Sequence, residues 1–175
     1  MNENFEASLA NILLHEGLWS DHASDPGGAT MKGVTLKVYR AWWKAMGKPG
    51  IPGKDELRNI PDATLAQIYR QNYWRAARCD KLPSPIDLMV FDSAVNQGPG
   101  RAARVLQQAA KVTVDGAIGP KTLKAVRTKF AVEPRSFLAE VAARRMRHYG
   151  GLSTFKTFGL GWSRHHSPSN GKAMT

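Results

Sequence analysis

Two carboxylates and a hydroxyl stand close together near the start of this 175-residue sequence: Glu16, Asp25 and Thr30, with eight residues between the first two and four between the second two. Phe5, Leu9, Ile12 and Leu13 form an apolar stripe at helical spacing, and at about 100° per residue Glu16 falls on that stripe rather than on its wet side. A carboxyl carried inward without a cation stays protonated to higher pH, the state a general acid needs. Asp25 lies in the polar turn Ser24-Asp25-Pro26-Gly27-Gly28, where backbone N–H groups and hydroxyls favour its ionised form. Thr30 adds a hydroxyl that can orient a water beside Asp25. One proton donor and one ionised carboxylate facing each other across a cleft are the equipment for cleaving a glycosidic bond. Taken singly, a helix-end glutamate is a solvated surface group and Asp-Pro-Gly is only a turn; the inward placing of Glu16 favours the chemical reading.

The elements that must hold these groups follow from spacing and punctuation. A first helix is predicted over residues 3–17 with Gly17 as its stop, then a short irregular hairpin over 18–35 around the Asp25-Pro26-Gly27-Gly28 turn. Helical spacing returns over 36–46 and is broken by the Gly- and Pro-rich loop 47–53. Further helices are predicted over 62–74, from Ser84-Pro85 through Asn96, over 101–110, from Pro120, and over 134–149, with a short one around 158–166 before a frayed end at 167–175. The sum is a mainly α domain with one small N-terminal β-hairpin, the class in which a cleft forms between two helical lobes. Aromatics and amides suited to a sugar's faces and hydroxyls are Trp19, Tyr69, Tyr73, Trp74, Asn96 and Gln97, and most aromatics on helical spacing belong to the core. Trp19, Tyr73, Asn96 and Gln97 are taken as the substrate-binding candidates.

Charge divides the chain. Of its 25 Lys+Arg and 14 Asp+Glu, residues 1–96 hold 11 of each, so the 14 basic and 3 acidic residues of 97–175 carry the whole net charge of +11. That part is built to face a polyanion: nucleic acid, lipid headgroups or anionic wall polymers. The helix over 134–149 offers Arg135, Arg144, Arg145 and Arg147 to such anions, with Phe137, Leu138, Val141, Met146 and Tyr149 as a stripe read first as core and second as a membrane-disturbing face. The single cysteine, Cys79, excludes an intrachain disulfide framework and multi-cysteine zinc motifs and reads as a buried small residue. No metal and no cofactor is called for. The first six residues carry two acids and no basic run, so no export signal is predicted, and no stretch has the roughly 18 apolar residues of a membrane span.

The run Glu16-Gly17-Leu18-Trp19, Asp25-Pro26-Gly27-Gly28-Ala29-Thr30 and Gly33-Val34-Thr35 resembles the N-terminal signature of glycoside hydrolase family 108, bacterial and phage N-acetylmuramidases that cut peptidoglycan. The order Glu16, Asp25, Thr30 is also similar to the catalytic triad of small phage muramidases, with one residue fewer before the threonine; Leu18-Trp19 stands where the family usually has Gly-Tyr. The resemblance implies a lysozyme-like fold, Glu16 as general acid, and Asp25 with Thr30 holding the attacking water or stabilising an oxocarbenium ion, with inversion and retention both open. Asp115-Gly116-Ala117-Ile118-Gly119-Pro120-Lys121-Thr122-Leu123 resembles a motif of a peptidoglycan-binding region that follows the catalytic segment in that family; as residues alone it is a tight turn feeding a Pro-started helix. Residues 1–96 are then the catalytic segment and 97–175 a basic helical segment packed with it as one globular unit.

The implied protein is a monomeric endolysin that cleaves the β-1,4 bond between N-acetylmuramic acid and N-acetylglucosamine. It would wait in the host cytoplasm until released to the wall, with peptidoglycan as partner, anionic outer-membrane or wall polymers as further ones, and nucleic acid not expected. Two rival classes remain. A zinc amidase needs three ligands, and His15, His22, His148, His165 and His166 show no H-E-x-x-H or comparable pair. A basic nucleic-acid-binding module would account for the C-terminal charge but leave Glu16 without a role. A serine or cysteine hydrolase has no G-x-S-x-G and no glycine-rich elbow around Cys79.

Overall fold

Phe5, Leu9 and Ile12 are buried on one side of helix α1 (Asn2–His15), the first element of a computed structural model that describes residues 2–21 and 28–150. The helix stops at His15, short of the predicted end at residue 17, so Glu16 is the first residue beyond it. The expected hairpin is present and gains a third strand: β1 (Trp19–Ser20), β2 (Thr30–Met31) and β3 (Val34–Thr35) form an antiparallel sheet in that order. Trp19 lies opposite Met31, and Thr30 lies between Ser20 and Thr35. The turn Lys32-Gly33 has positive φ at both residues, +45° and +75°, the pattern of the tight hairpin turns that match strand twist.

Thr35 caps helix α2 (Leu36–Ala45), accepting from the Val38 N–H at 3.3 Å. After the loop comes a short helix that spacing did not announce, α3 (Lys54–Arg58), tied by Glu56 accepting from the Gly53 N–H at 2.9 Å and by the buried Leu57. The helix predicted over 62–74 is two pieces: α4 (Asp62–Tyr69) runs directly into a π-helical turn, Arg70–Arg75. That turn carries Trp74 into the core, where its ring meets Phe5 and Phe91 edge-on at 5.5 and 5.2 Å between centroids. Phe91 belongs to α5 (Ile86–Gln97), so this aromatic cluster fixes α1, the π-turn and α5 to one another. A second tie is Asp87, fully buried at the start of α5, which accepts from the Asn4 amide at 2.8 Å and from the Leu88 N–H.

Gly98, at φ +84°, is the single-residue link to α6 (Pro99–Ala110). The buried face of α6 is mostly alanine, Ala102, Ala103, Ala109 and Ala110 around Leu106, which lets the neighbouring helices approach closely. Gln107, also buried, organises the turn after α6. Its amide donates to Asp115 at 2.6 Å and to the Ala117 carbonyl at 3.0 Å, and its carbonyl accepts from the Gly116 N–H at 2.9 Å. Gln107 and the Ala117 N–H hold the Asp115 carboxyl below the usual carboxylate range. The Asp115-Gly116 motif is therefore, in packing terms, the lid of a buried amide leading into α7 (Pro120–Val132).

Helix α8 (Pro134–Gly150) buries Phe137, Val141 and Arg145 at successive four-residue steps. Arg145 is thus not offered to outside anions as its composition suggested: it lies inside and pairs with Asp92 of α5. Among the described residues no helix is long and apolar enough to cross a membrane. The short helix and frayed end expected in 158–175 lie outside the described residues. Because Trp74 holds three elements at once, Trp74→Ala should lower the unfolding free energy by about 3–5 kcal/mol in urea denaturation, with the circular dichroism of the remaining native fraction unchanged.

Candidate active site

The site is assembled where the end of α1 meets the β2–β3 turn. Glu16, half-buried, follows the last turn of α1, and its carboxylate lies against the backbone of Gly33. A methyl group built on Gly33 would stand 3.0 Å from Glu16 Oε2 and would collide with the Tyr69 hydroxyl. Gly33 is thus required twice, by its positive φ and by the two oxygens that crowd it.

Three independent contacts hold the turn in place. The Lys32 N–H donates to the Leu18 carbonyl at 2.8 Å, the Tyr69 hydroxyl donates to the Lys32 carbonyl at 3.0 Å, and the Lys32 ammonium pairs with Asp62 at 2.9 Å. Tyr69 and Asp62 both belong to α4, so the hairpin is docked on α4 while Glu16 arrives from α1.

Tyr69 is 1% exposed, and its ring packs on Tyr73 of the π-turn at 5.3 Å between centroids. Burial first, and the Glu16 charge second, push both phenols above their ordinary ionisation range. Both are therefore neutral donors at physiological pH. The Glu16 carboxyl thus lies beside Gly33 and within electrostatic reach of both phenols.

The other sequence-selected residues divide. Thr30 is half-buried on β2, and its hydroxyl donates to the Gly28 carbonyl at 2.9 Å, which leaves its oxygen as an acceptor. Asp25 lies outside the described residues. Trp19 sits on the sheet face shared with Met31 and the buried Val34, packs on the core, and is covered by the Arg58 guanidinium at 5.1 Å from the ring centroid. Alternation along the strand puts Thr30 on the opposite face. Asn96 is exposed and spends its amide on the Asp92 carbonyl and carboxylate of its own helix, at 2.8 and 3.3 Å. Gln97, the last residue of α5, has both amide atoms buried with no hydrogen-bond partner among the described residues.

The structure brings together Glu16, Gly33, Tyr69 and Tyr73. Gly33 and the hydroxyl of Tyr69 were not singled out from the sequence as parts of the acid's surroundings; the available signal was the two-residue Lys32-Gly33 interval between two short β-prone pairs. Cys79 is buried, and burial raises its thiol well above the range of a reactive thiolate. Among the described residues no three His, Cys, Asp or Glu side chains gather in a metal-holding group.

Comparison with known proteins gives the family. Residues 9–98 match the family model of glycosyl hydrolase 108, and residues 101–166 match that of a predicted peptidoglycan domain. The solved structure of SagA from Brucella abortus is similar with a TM-score of 0.79 and 37% sequence identity, over 95% of this chain and 91% of that one. No curated protein matches the chain. The chain belongs to glycosyl hydrolase family 108, and is a glycoside hydrolase with a lysozyme-like helical fold that acts on peptidoglycan.

Two outcomes follow from the geometry. Gly33→Ala should destabilise the fold by at least about 1–2 kcal/mol from the left-handed backbone alone, read in urea denaturation, and should lose activity beyond that because Glu16 and Tyr69 must move apart. Removing the Glu16 charge should let Tyr73 ionise at lower pH, so an ultraviolet titration of tyrosinate in Glu16→Gln should shift downward relative to the parent protein. An unchanged titration would mean that Glu16 does not face the phenols.

Proposed function

We propose that this peptidoglycan hydrolase is an N-acetylmuramidase that cleaves the β-1,4 bond between N-acetylmuramic acid and N-acetylglucosamine, with Glu16 as general acid. The observation that carries the proposal is the setting of Glu16. It is half-buried just past the end of α1, against Gly33, with the neutral phenols of Tyr69 and Tyr73 beside it. Such a group protonates the leaving oxygen as the bond breaks. Asp25, from the polar sequence between β1 and β2, and Thr30 act on the other side of the sugar, where they hold the attacking water or stabilise positive charge at the anomeric carbon. The Thr30 hydroxyl, already donating to Gly28, meets such a water as an acceptor.

Of the sugar contacts, Tyr73 supplies a half-buried ring and hydroxyl next to the acid. Gln97 supplies a donor and an acceptor that a sugar hydroxyl or N-acetyl group would complete. Residues 1–96 thus do the chemistry, while the basic residues 97–175 hold the anionic wall. In this reading the protein works as an endolysin that gains access to the wall from the cytoplasm.

Digestion of purified peptidoglycan, followed by reduction of the new ends and mass analysis, tests the bond. Reducible N-acetylmuramic acid ends are expected. Reducible N-acetylglucosamine ends would make the protein a glucosaminidase, and new amino ends without reducing sugars would make it an amidase. Glu16→Gln should clear peptidoglycan at least about a hundredfold more slowly while keeping a native circular dichroism spectrum.

A further inference from the structure

A charged concavity whose lining shares no residue with the surroundings of Glu16 lies between α6 and α8. On α6, Arg101, Arg104 and Gln108 recur at steps of three and four residues and so share one face; on α8, Arg147 and His148 lie three and four residues after Arg144, each on its side of the helix. The two faces turn toward each other and line a cleft of about 400 Å³. We propose that this cleft is a binding site for a phosphate group, as a phosphomonoester or phosphodiester.

Charge balance is the first support. Arg144 reaches Glu140 through its Nε, which occupies one edge of the guanidinium. Arg104 lies over Gly116, where an added Cβ would be 2.9 Å from its Cζ, and its charge acts on Asp115, whose carboxylate is already engaged by Gln107 and the Ala117 N–H. Arg101 and Arg147, both exposed, have no ion pair among the described residues. Four guanidinium groups thus line one small cleft, and the salt bridge from Arg144 to Glu140 offsets one of them. Like charges on packed helix faces repel one another, and a bound anion relieves that repulsion.

Shape selects the class of anion. A planar carboxylate is satisfied by one guanidinium fork, whereas a tetrahedral phosphate presents oxygens in several directions and accepts from several forks at once. Here the forks come from both walls of a concave cleft. A nucleic-acid duplex would instead ask for cations strung along a surface that follows its backbone. Phosphate binding here does not depend on which glycosidic bond the enzyme cuts.

Calorimetric titration of the full chain with inorganic phosphate, at ionic strength held constant with chloride, tests the site. One phosphate per chain is expected, and the double variant Arg101→Gln/Arg147→Gln, at two exposed positions, should weaken it at least about tenfold. Lys121→Gln/Lys124→Gln, which removes the same charge from exposed positions on α7, should leave it unchanged. A parallel arm measures binding to phosphatidylcholine vesicles with and without phosphatidic acid. Loss of vesicle binding in the arginine pair alone identifies a lipid headgroup as the source, and vesicle binding that ignores the arginine pair while phosphate binding does not identifies a soluble phosphate. Equal weakening of phosphate binding by the lysine pair, acetate binding as tightly as phosphate, or displacement by a short DNA duplex at concentrations where glycerol phosphate fails would each overturn the proposal.

Discussion

The missing side chain of Gly33 is the constraint on which the rest depends. With φ at +75°, this residue closes the β2–β3 turn, and with no Cβ it admits the Glu16 carboxylate and the Tyr69 hydroxyl to the same small space. Three elements distant in sequence are brought to that point: α1 delivers Glu16, the hairpin delivers Gly33, and α4 delivers Tyr69. The aromatic cluster of Phe5, Trp74 and Phe91 fixes α1 to the π-turn that follows α4, so the distance from acid to phenol is set by core packing rather than by the loop that joins them. A carboxylate held by elements of the core cannot relax toward solvent without disturbing that core.

Much of this arrangement was legible in the residues, and what was not has physical causes. The stripe Phe5, Leu9 and Ile12, the starts at Pro120 and Pro134, and the glycine-rich turns before Thr30 are local signals, and the structure places helices and strands where they point. The end of α1 at His15 was missed because periodicity carries on through Glu16, while the chain must leave the helix to enter β1. Helix α3 is too short to show a period at all. The π-turn at Arg70–Arg75 breaks no sequence rule; it is held by Trp74 finding Phe5 and Phe91, partners far away in the chain. Arg145 looked like one more surface arginine, and only the α8 stripe it shares with Phe137 and Val141, together with Asp92 on a different helix, takes it inside. Type and order singled out Glu16, Tyr69 and Tyr73, which the structure brings together, whereas the partnership of Gly33 with Tyr69 is a tertiary contact that no local spacing encodes.

The uneven charge also acquires a structural meaning. The neutral first part of the chain sets Glu16 beside Gly33 and two phenols, and its ion pairs include Lys32 to Asp62 and Arg70 to Glu6. The excess cations of the second part are not spread evenly over the helices. Several meet in the α6–α8 cleft, whose lining shares no residue with the surroundings of Glu16.

If Glu16 delivers the proton to the leaving oxygen, leaving-group dependence measures that role most directly. A synthetic muramoside whose aryl leaving group departs without protonation bypasses the acid, while the natural sugar leaving group does not. Glu16→Gln should then lose far more activity on peptidoglycan than on the aryl glycoside. Equal losses on the two substrates would contradict this role, and would place Glu16 in binding or folding rather than in the protonation step.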